Sequence, residues 1–195
     1  MDFEGAKKFI INKLQKEIKP DLSYHSIDHT LDVLQAAIRY AEMEGVNGHD
    51  LELIKAAALF HDAGFAEIYD GHEKASVRLA YESLPEFGYT NEDIKLIEGM
   101  ILSTEIPQHP STHLEKIIAD ADLDYIGRDD LFVIGQRLQY EWKLHGKVSS
   151  LREWHEKQLE FLKNHEYFTK SAQKLRNNKK QENIMELENL LRLKK

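Results

Sequence analysis

The sequence predicts an all-α fold, and three observations support this prediction. Apolar residues recur at spacings of three and four along nearly the whole chain, which is the period of an amphipathic helix. No segment shows the sustained alternation of apolar and polar residues that is typical of a half-buried strand. Glycine and proline are concentrated between the periodic segments, where they would end helices.

The elements follow from these breaks, taken in chain order. The first helix ends before Lys19-Pro20-Asp21, and glycines at positions 45 and 48 separate the second from the third. Glycines at positions 64 and 71 frame the next break, residues 85–88 the one after it, and residues 106–110 precede the sixth helix. The predicted helices are 2–18, 27–44, 50–62, 72–84, 91–103, 112–126, 129–145, 150–166 and 170–192.

The chain length of 195 residues predicts one domain of ordinary size, or one such domain with an appendage. We place the main domain at 1–168 and a basic helical appendage at 169–195, with residues 177–180 as the best linker candidate. Residues 170–195 contain eight basic and three acidic residues, a local charge of +5 within a net charge of −8, which leaves −13 for the rest. This segment is either a solvated helix or one packed on the body through Ile184, Leu187 and Leu191, and it offers a route to a homo-oligomer.

Composition narrows the function classes. An acidic body does not suit nucleic-acid binding, which requires neutralisation of phosphates. No apolar stretch has the length of a membrane span, and residues 1–5 lack the basic and apolar segments of a signal peptide. The chain contains no cysteine, which excludes disulfides and thiolate metal sites and fits a cytoplasmic protein.

A histidine and an aspartate stand side by side at the end of an apolar run, His61 and Asp62 after residues 56–60. Helical phase places both on the same side as Ile54 and Ala58, so they are predicted to face inward. A buried charge is costly unless it is paired or coordinates a metal. The pair alone is equally consistent with a hydrogen-bonded core histidine and an aspartate that ends a helix.

Two further segments supply inward-facing polar residues. His29 shares one face of the second predicted helix with Val33, Ala36 and Tyr40, an apolar stripe, although a core histidine would fit there too. Residues 114–126 contain three acids at alternate positions, and Asp122 lies in steps of four on the stripe of Leu114, Ile118 and Ile126. Asp122 is therefore predicted to be buried, whereas Asp120 and Asp124 are predicted to be more exposed.

Together these four residues predict a metal site. Two inward histidines and two inward aspartates on three helices would be a costly inert core, but they satisfy one another around a divalent cation. Two imidazoles and two carboxylates suit one divalent ion of manganese, iron or zinc, with magnesium, cobalt or nickel as the alternatives. The predicted ligands are His29, His61, Asp62 and Asp122.

The series His29, His61-Asp62 and Asp122 resembles the H…HD…D signature of the HD superfamily of metal-dependent phosphohydrolases. Residues 115–122 are similar to the last motif of that family, with Asp122 in the ligand position. The resemblance covers roughly residues 20–130. It implies an HD-domain helical bundle with additional C-terminal helices, a bound divalent metal and hydrolysis of a phosphate ester or anhydride.

The resemblance also implies roles for individual residues. His25 stands where some members carry a general acid, although Ser26 replaces the asparagine that follows it in cyclic-nucleotide phosphodiesterases. Asp62 would ligate the metal and orient the attacking water. The substrate would be a small phosphorylated metabolite or nucleotide. Three basic residues are candidates for its phosphate, namely Lys74, Arg78 and Arg128.

Differences from the family pattern restrict the number of metal ions and the substrates that the resemblance implies. His72 stands where two-metal members carry an extra histidine, but Ser103 and Thr104 stand where those members continue with histidine ligands. Members that hydrolyse guanosine tetraphosphate carry Glu-Asp where this chain has Phe65 and Ala66. A different class remains open: a metal-binding signalling or ligand-binding module with little turnover, which the basic tail and its apolar stripe favour. The other histidines are expected at the surface: His49, His109, His113, His145, His155 and His165.

Overall fold

The computed structural model describes residues 1–193, and its regular elements are helical. No strand occurs in this range, so the predicted all-α fold is confirmed. Short 3-10 turns follow three of the helices, at Ala63–Ala66, Leu84–Phe87 and Asp124–Gly127. The α-helices are α1 (Phe3–Glu17), α2 (Ile27–Met43), α3 (Gly48–Phe60), α4 (His72–Ser83), α5 (Asn91–Leu102), α6 (His113–Asp122), α7 (Leu131–Leu144), α8 (Leu151–Asn164) and α9 (Lys170–Leu193).

The chain forms two compact units, and the first comprises Met1–Lys19 and His25–Asp122. Helix α3 lies at its centre and packs against α1, α2, α5 and α6. Its sequence explains this position, because all of residues 53–60 except Lys55 are fully buried apolar side chains. A helix that is apolar on nearly all sides is stable only when other elements surround it. The central helix therefore delivers His61 and Asp62, which follow it directly, into the interior.

The acidic segment differs from its prediction, because a single helix does not span 112–126. Helix α6 ends at Asp122, and Asp124–Gly127 form a 3-10 turn. The four-residue phase therefore does not extend to Asp124, and residues 117–121 of α6 are all buried, so the phase does not separate Asp120 from its neighbours either. Asp120 is fully buried and Asp124 is 1% exposed, so the predicted exposure of both was wrong.

The second unit comprises Pro20–Tyr24 and the chain from Leu123 onwards. Helix α9 packs on α8 and on the turn at Asp124–Gly127. Asn183 donates from Nδ2 to the carbonyl oxygens of Ile126 and Arg128, at 3.1 and 2.9 Å. The basic tail is thus a packed helix rather than a solvated one.

Two expectations for the C-terminal region were wrong. The linker candidate at 177–180 lies inside α9, and Lys180 is buried with its ammonium group donating to the carbonyl oxygen of His165. His165 was expected at the surface, but both of its ring nitrogens are buried. The division into domains at 168 and 169 stays a prediction, as does a homo-oligomer formed through α9. None of the helices within residues 1–193 combines the length and the apolar character that crossing a membrane requires.

Candidate metal centre

Four segments of the first unit position the predicted ligands. His29 lies in the first turn of α2, and His61 and Asp62 follow the last residue of α3. Asp62 directly precedes the 3-10 turn at Ala63–Ala66, and Asp122 is the last residue of α6. The α2 and α6 helices both pack on α3, which brings these side chains to one point. The side chains are between 0 and 14% exposed.

The four side chains converge through one atom each. His29 Nε2 and His61 Nε2 lie 3.3 Å apart. Asp62 Oδ2 is 3.3 Å from His29 Nε2 and 3.2 Å from His61 Nε2. Asp122 Oδ1 is 3.2 and 3.5 Å from the same two nitrogens. Two nitrogens bound to one zinc are separated by roughly 3.3 Å, since each Zn–N bond is about 2.0–2.1 Å and the angle is tetrahedral. The separation of the two imidazole nitrogens is therefore that expected for two ligands of one metal ion.

The hydrogen-bond partners also fit a metal. His61 Nδ1 lies 2.9 Å from the carbonyl oxygen of Ala58, so the ring proton belongs on Nδ1 and the lone pair of Nε2 faces the cluster. Asp62 Oδ2 is buried without a hydrogen-bond partner. A buried carboxylate oxygen without a donor costs free energy unless a cation neutralises it. His29, His61 and Asp122 together form a candidate metal-binding group, and Asp62 adds its Oδ2 atom beside it.

The charges of the cluster stabilise positive charge at its centre. Burial by itself lowers the pKa of His29, but the nearby carboxylates of Asp122 and Asp62 raise it to about 8. Burial likewise opposes protonation of His61, yet the charge of Asp62 and the contact with Asp122 raise its pKa well above the ordinary value. Burial would raise the pKa of Asp62, but the neighbouring histidines, led by His61, hold it well below its ordinary value. The same field favours a divalent cation, which displaces the protons.

His72 at the start of α4 contacts the other oxygen of Asp62. Its Nδ1 lies 3.2 Å from the carbonyl oxygen of Tyr69, while its Nε2 lies 3.3 Å from Asp62 Oδ1 and 3.4 Å from Glu73 Oε1. Asp62 thus turns Oδ2 to the histidine pair and Oδ1 to His72. The sequence indicated His72 only as an extra ligand of two-metal relatives, because the contact depends on how α4 packs on the preceding turn.

His25 lies beside the cluster, two residues before α2 begins, and its ring centroid is 6.1 Å from that of His29. Its ring stacks on Phe65, with centroids 4.0 Å apart and an interplanar angle of 21°. Phe65 also packs on the ring of His72, at 3.8 Å and 22°. The ring contacts of Phe65 were missed from the sequence, where this residue was noted only as a departure from a family pattern. The only indication in the sequence was that an aromatic residue stands three positions after Asp62.

The three basic residues that were predicted to bind phosphate lie in other surroundings. Lys74 and Arg78 are on the exposed side of α4, and the guanidinium group of Arg78 donates to Glu67. Arg128 lies in the second unit, where it makes a bidentate pair with Asp130 at 2.9 Å and contacts Asp124 at 3.3 Å. Their binding of a substrate stays a prediction.

Comparison with known proteins agrees with this geometry. Residues 26–124 match the HD domain family, which is half of the chain and contains His29, His61, Asp62 and Asp122. The protein belongs to the HD domain family. HD domains bind divalent metals, and the cluster described above is where this chain has the donor atoms for one. No curated protein sequence matches the chain.

Three solved structures share the fold of this HD protein. A predicted HD superfamily hydrolase from an uncultured Thermotogales bacterium is 22% identical, covers 96% of this chain and 92% of its own, and has a TM-score of 0.64. Bacillus subtilis YpgQ in complex with ADP is 21% identical, covers 97% and 95%, and has a TM-score of 0.68. A protein from Lactobacillus plantarum is 19% identical, covers 97% of both chains and also has a TM-score of 0.68.

Proposed function

We propose that this HD protein is a metal-dependent phosphohydrolase. The observation that carries the proposal is the convergence of four donor atoms with the buried, unpartnered Oδ2 of Asp62. A site built only for stability would not leave a carboxylate oxygen without a donor. Membership of the HD domain family supports a metal-dependent hydrolase in general. We further propose that the bond it hydrolyses is that of a phosphate ester or anhydride.

His29, His61, Asp62 and Asp122 would hold one divalent metal ion, with manganese, iron or zinc as the best matches to two imidazoles and two carboxylates. When bound, such an ion supplies a Lewis acid and lowers the pKa of water. Asp62 has a second oxygen beside His72, so its carboxylate also orients groups outside the ligand cluster. Burial of the four ligands excludes bulk water and strengthens their electrostatic effect.

Hydrolysis joins a water oxygen to phosphorus and breaks the bond from phosphorus to the leaving oxygen. Asp62 is the residue that would orient the attacking water, because its two oxygens divide between the cluster and His72. His25 would donate a proton to the leaving oxygen as general acid. Its ring lies at the margin of the cluster, close to His29 but without a place in the candidate ligand group.

The proposed substrate is a small phosphorylated metabolite or a nucleotide, bound as a phosphomonoester, phosphodiester or anhydride. The structure of Bacillus subtilis YpgQ in complex with ADP favours nucleotides as the first compounds to test. Nucleic acids and membranes are not proposed as partners. Because the net charge is −8, attraction of an anionic substrate would have to be local to the site.

A signalling or ligand-binding module is the alternative from another class. The sequence favoured it through the basic tail and the apolar stripe of that tail. Ile184 and Leu187 are instead buried within the second unit, where α9 packs on α8. The feature that favoured this alternative is therefore used for packing, and the hydrolase remains the proposal.

Turnover assays separate the two functions. The protein is freed of metal, reloaded in turn with manganese, iron and zinc, and assayed with nucleotides and phosphoesters. We expect turnover that depends on the metal and is lost in Asp122→Asn. His109→Gln, which changes an exposed histidine, is the control and should behave as wild type. Stoichiometric binding of a nucleotide without any turnover would contradict the hydrolase and support the ligand-binding module.

A further inference from the structure

We propose that Phe65 is a positioning residue for His25, in that its ring is the surface that orients the His25 imidazole beside the metal ligands. The inference rests on the proposed function, in which His25 is the general acid. Phe65 itself would touch neither substrate nor metal, because it is 3% exposed and carries no polar side-chain atom.

The contacts of His25 support this role. Its ring lies nearly parallel to Phe65 at a centroid distance of 4.0 Å, with an interplanar angle of 21°. The neighbouring rings of Tyr69 and His29 are more distant, at 6.2 and 6.1 Å, and lie almost perpendicular to it. An imidazole rotates about a broad terminal torsion unless its surroundings restrict it. A parallel aromatic face restricts this rotation, because turning the imidazole would drive its edge into the other ring.

The position of Phe65 is itself tied to a metal ligand. The backbone N–H of Phe65 donates to the carbonyl oxygen of Asp62 at 3.1 Å, inside the 3-10 turn that follows the motif. The neighbouring N–H of Gly64 donates to Ser76 Oγ at 2.8 Å, which attaches the turn to α4. The orientation of His25 therefore depends on the same short segment that positions Asp62.

The ring of Phe65 packs against two imidazoles, those of His25 and His72. The ring of His72 packs on it at 3.8 Å, and the centroids of His25 and His72 are 6.1 Å apart. A glutamate, as in relatives that hydrolyse guanosine tetraphosphate, would offer no such face. Phe65 thus gives His25 an aromatic face that a glutamate at this position would not provide.

A double-mutant cycle tests the inference with nitrophenyl phosphate and phenyl phosphate as substrates. We expect Phe65→Leu to lower kcat for phenyl phosphate about 10- to 100-fold, in line with the cost of misplacing a catalytic group. The loss should be smaller for nitrophenyl phosphate, and metal content should be unchanged. In His25→Ala assayed at saturating metal, adding Phe65→Leu should cause no further loss. Phe65→Tyr should restore the rate, and Phe9→Leu, which removes a different aromatic contact of the first unit, is the matched control.

Nuclear magnetic resonance of the His25 ring gives a measurement that needs no turnover. The stack on Phe65 should displace the ring-proton resonances of His25 in the wild type and in Phe65→Tyr, but not in Phe65→Leu. Phe65→Met is the substitute if the leucine variant fails to fold. Unchanged His25 resonances in the leucine or methionine variant would overturn the inference, as would additive losses in the double mutant. Absence of wild-type turnover would instead count against the proposed function, since the resonances report on the stack alone.

Discussion

His29 and His61 bring their Nε2 atoms to within 3.3 Å of each other, although each nitrogen also faces two carboxylates. Two unprotonated ring nitrogens at this distance would turn lone pairs toward each other. A proton or a metal ion between them removes that conflict, and a divalent ion also neutralises Asp62 and Asp122. The pair is thus arranged to share a cation.

Removal of one ligand should abolish metal binding. We expect His61→Ala and Asp62→Ala to lose stoichiometric metal and activity, because each leaves an incomplete set around a buried charge. Metal content of the purified, reloaded variants measures this directly. His49→Ala is the control, since His49 is an exposed residue that contacts Asp93. Full metal content in both ligand variants would refute the assignment of the site.

The three acids around the end of α6 should separate by function. Asp122→Asn should weaken metal affinity far more than Asp120→Asn. Asp124→Asn should keep the metal and lose stability, because Asp124 accepts from Arg176 at 2.7 and 3.0 Å and contacts Arg128. Breaking a buried pair of this kind costs about 3 kcal/mol. Metal titration and denaturant unfolding of the three variants give the comparison, and greater metal loss in Asp120→Asn would show that the wrong carboxylate was chosen.

The motif and the helical period were sufficient to predict the all-α fold and which four side chains converge. They were not sufficient for Asp124, because the period holds only while the helix continues and α6 ends at Asp122. They were not sufficient for Asp120 either, because residues 117–121 of α6 are all buried and helical phase does not separate an exposed side there. The partner of Asp124 is Arg176, which lies 52 residues further along the chain. No local pattern reports such a pair. Burial of Lys180 was unpredictable for the same reason, since its ammonium group donates a hydrogen bond to the backbone carbonyl oxygen of His165 in another segment.

We predict one tightly bound ion per chain. Ser103 and Thr104 donate to backbone carbonyls of their own helix, from Oγ to Met100 at 2.7 Å and from Oγ1 to Ile101 at 2.8 Å, so they do not replace the missing imidazoles. His72→Ala should lower metal affinity about 10- to 100-fold, as loss of a residue that orients a ligand does. It should leave the stoichiometry at one. Metal analysis together with a crystal structure would detect a second ion, which would contradict the prediction.

His25→Ala tests the proton donor. Metal content should stay unchanged, and the rate should fall by about 10²–10⁴, the usual contribution of a positioned general acid. The loss should be smaller for leaving groups that are already stable anions, such as nitrophenolate. Steady-state kinetics across a series of leaving groups measures this. Equal losses for good and poor leaving groups would indicate support of binding or structure, and loss of metal would make His25 a ligand.

His165 should make the protein sensitive to acid. Burial and the charge of Lys180 lower its pKa from 6.5 to about 3, and neither ring nitrogen has a hydrogen-bond partner among the described residues. The folded state therefore holds the neutral ring. Its contribution to stability is complete above pH 6.5, the unfolded value, and is lost as the pH falls toward 3, at up to about 1.4 kcal/mol per pH unit.

The corresponding experiment compares unfolding free energies of the wild type and His165→Gln between pH 7 and pH 4. The difference between the two proteins should change in favour of the variant as the pH falls, because glutamine does not protonate in this range. His109→Gln, an exposed substitution, should show the wild-type dependence. Parallel curves for all three proteins would show that His165 is not the responsible group.

Gly64 has a consequence for how the site withstands thermal motion. A Cβ atom there would lie 2.0 Å from the carbonyl oxygen of His72 and 2.8 Å from the backbone nitrogen of Ser76, so the turn and α4 are in direct contact along their backbones. Asp62 and His72 therefore lie on two main-chain segments that are packed directly against each other. The amide hydrogen of Gly64, held by Ser76 Oγ, should exchange with deuterated solvent only in rare, larger openings of the first unit. Separation of α4 from the turn and loss of the metal-ligand cluster would then occur in a single opening event rather than in two.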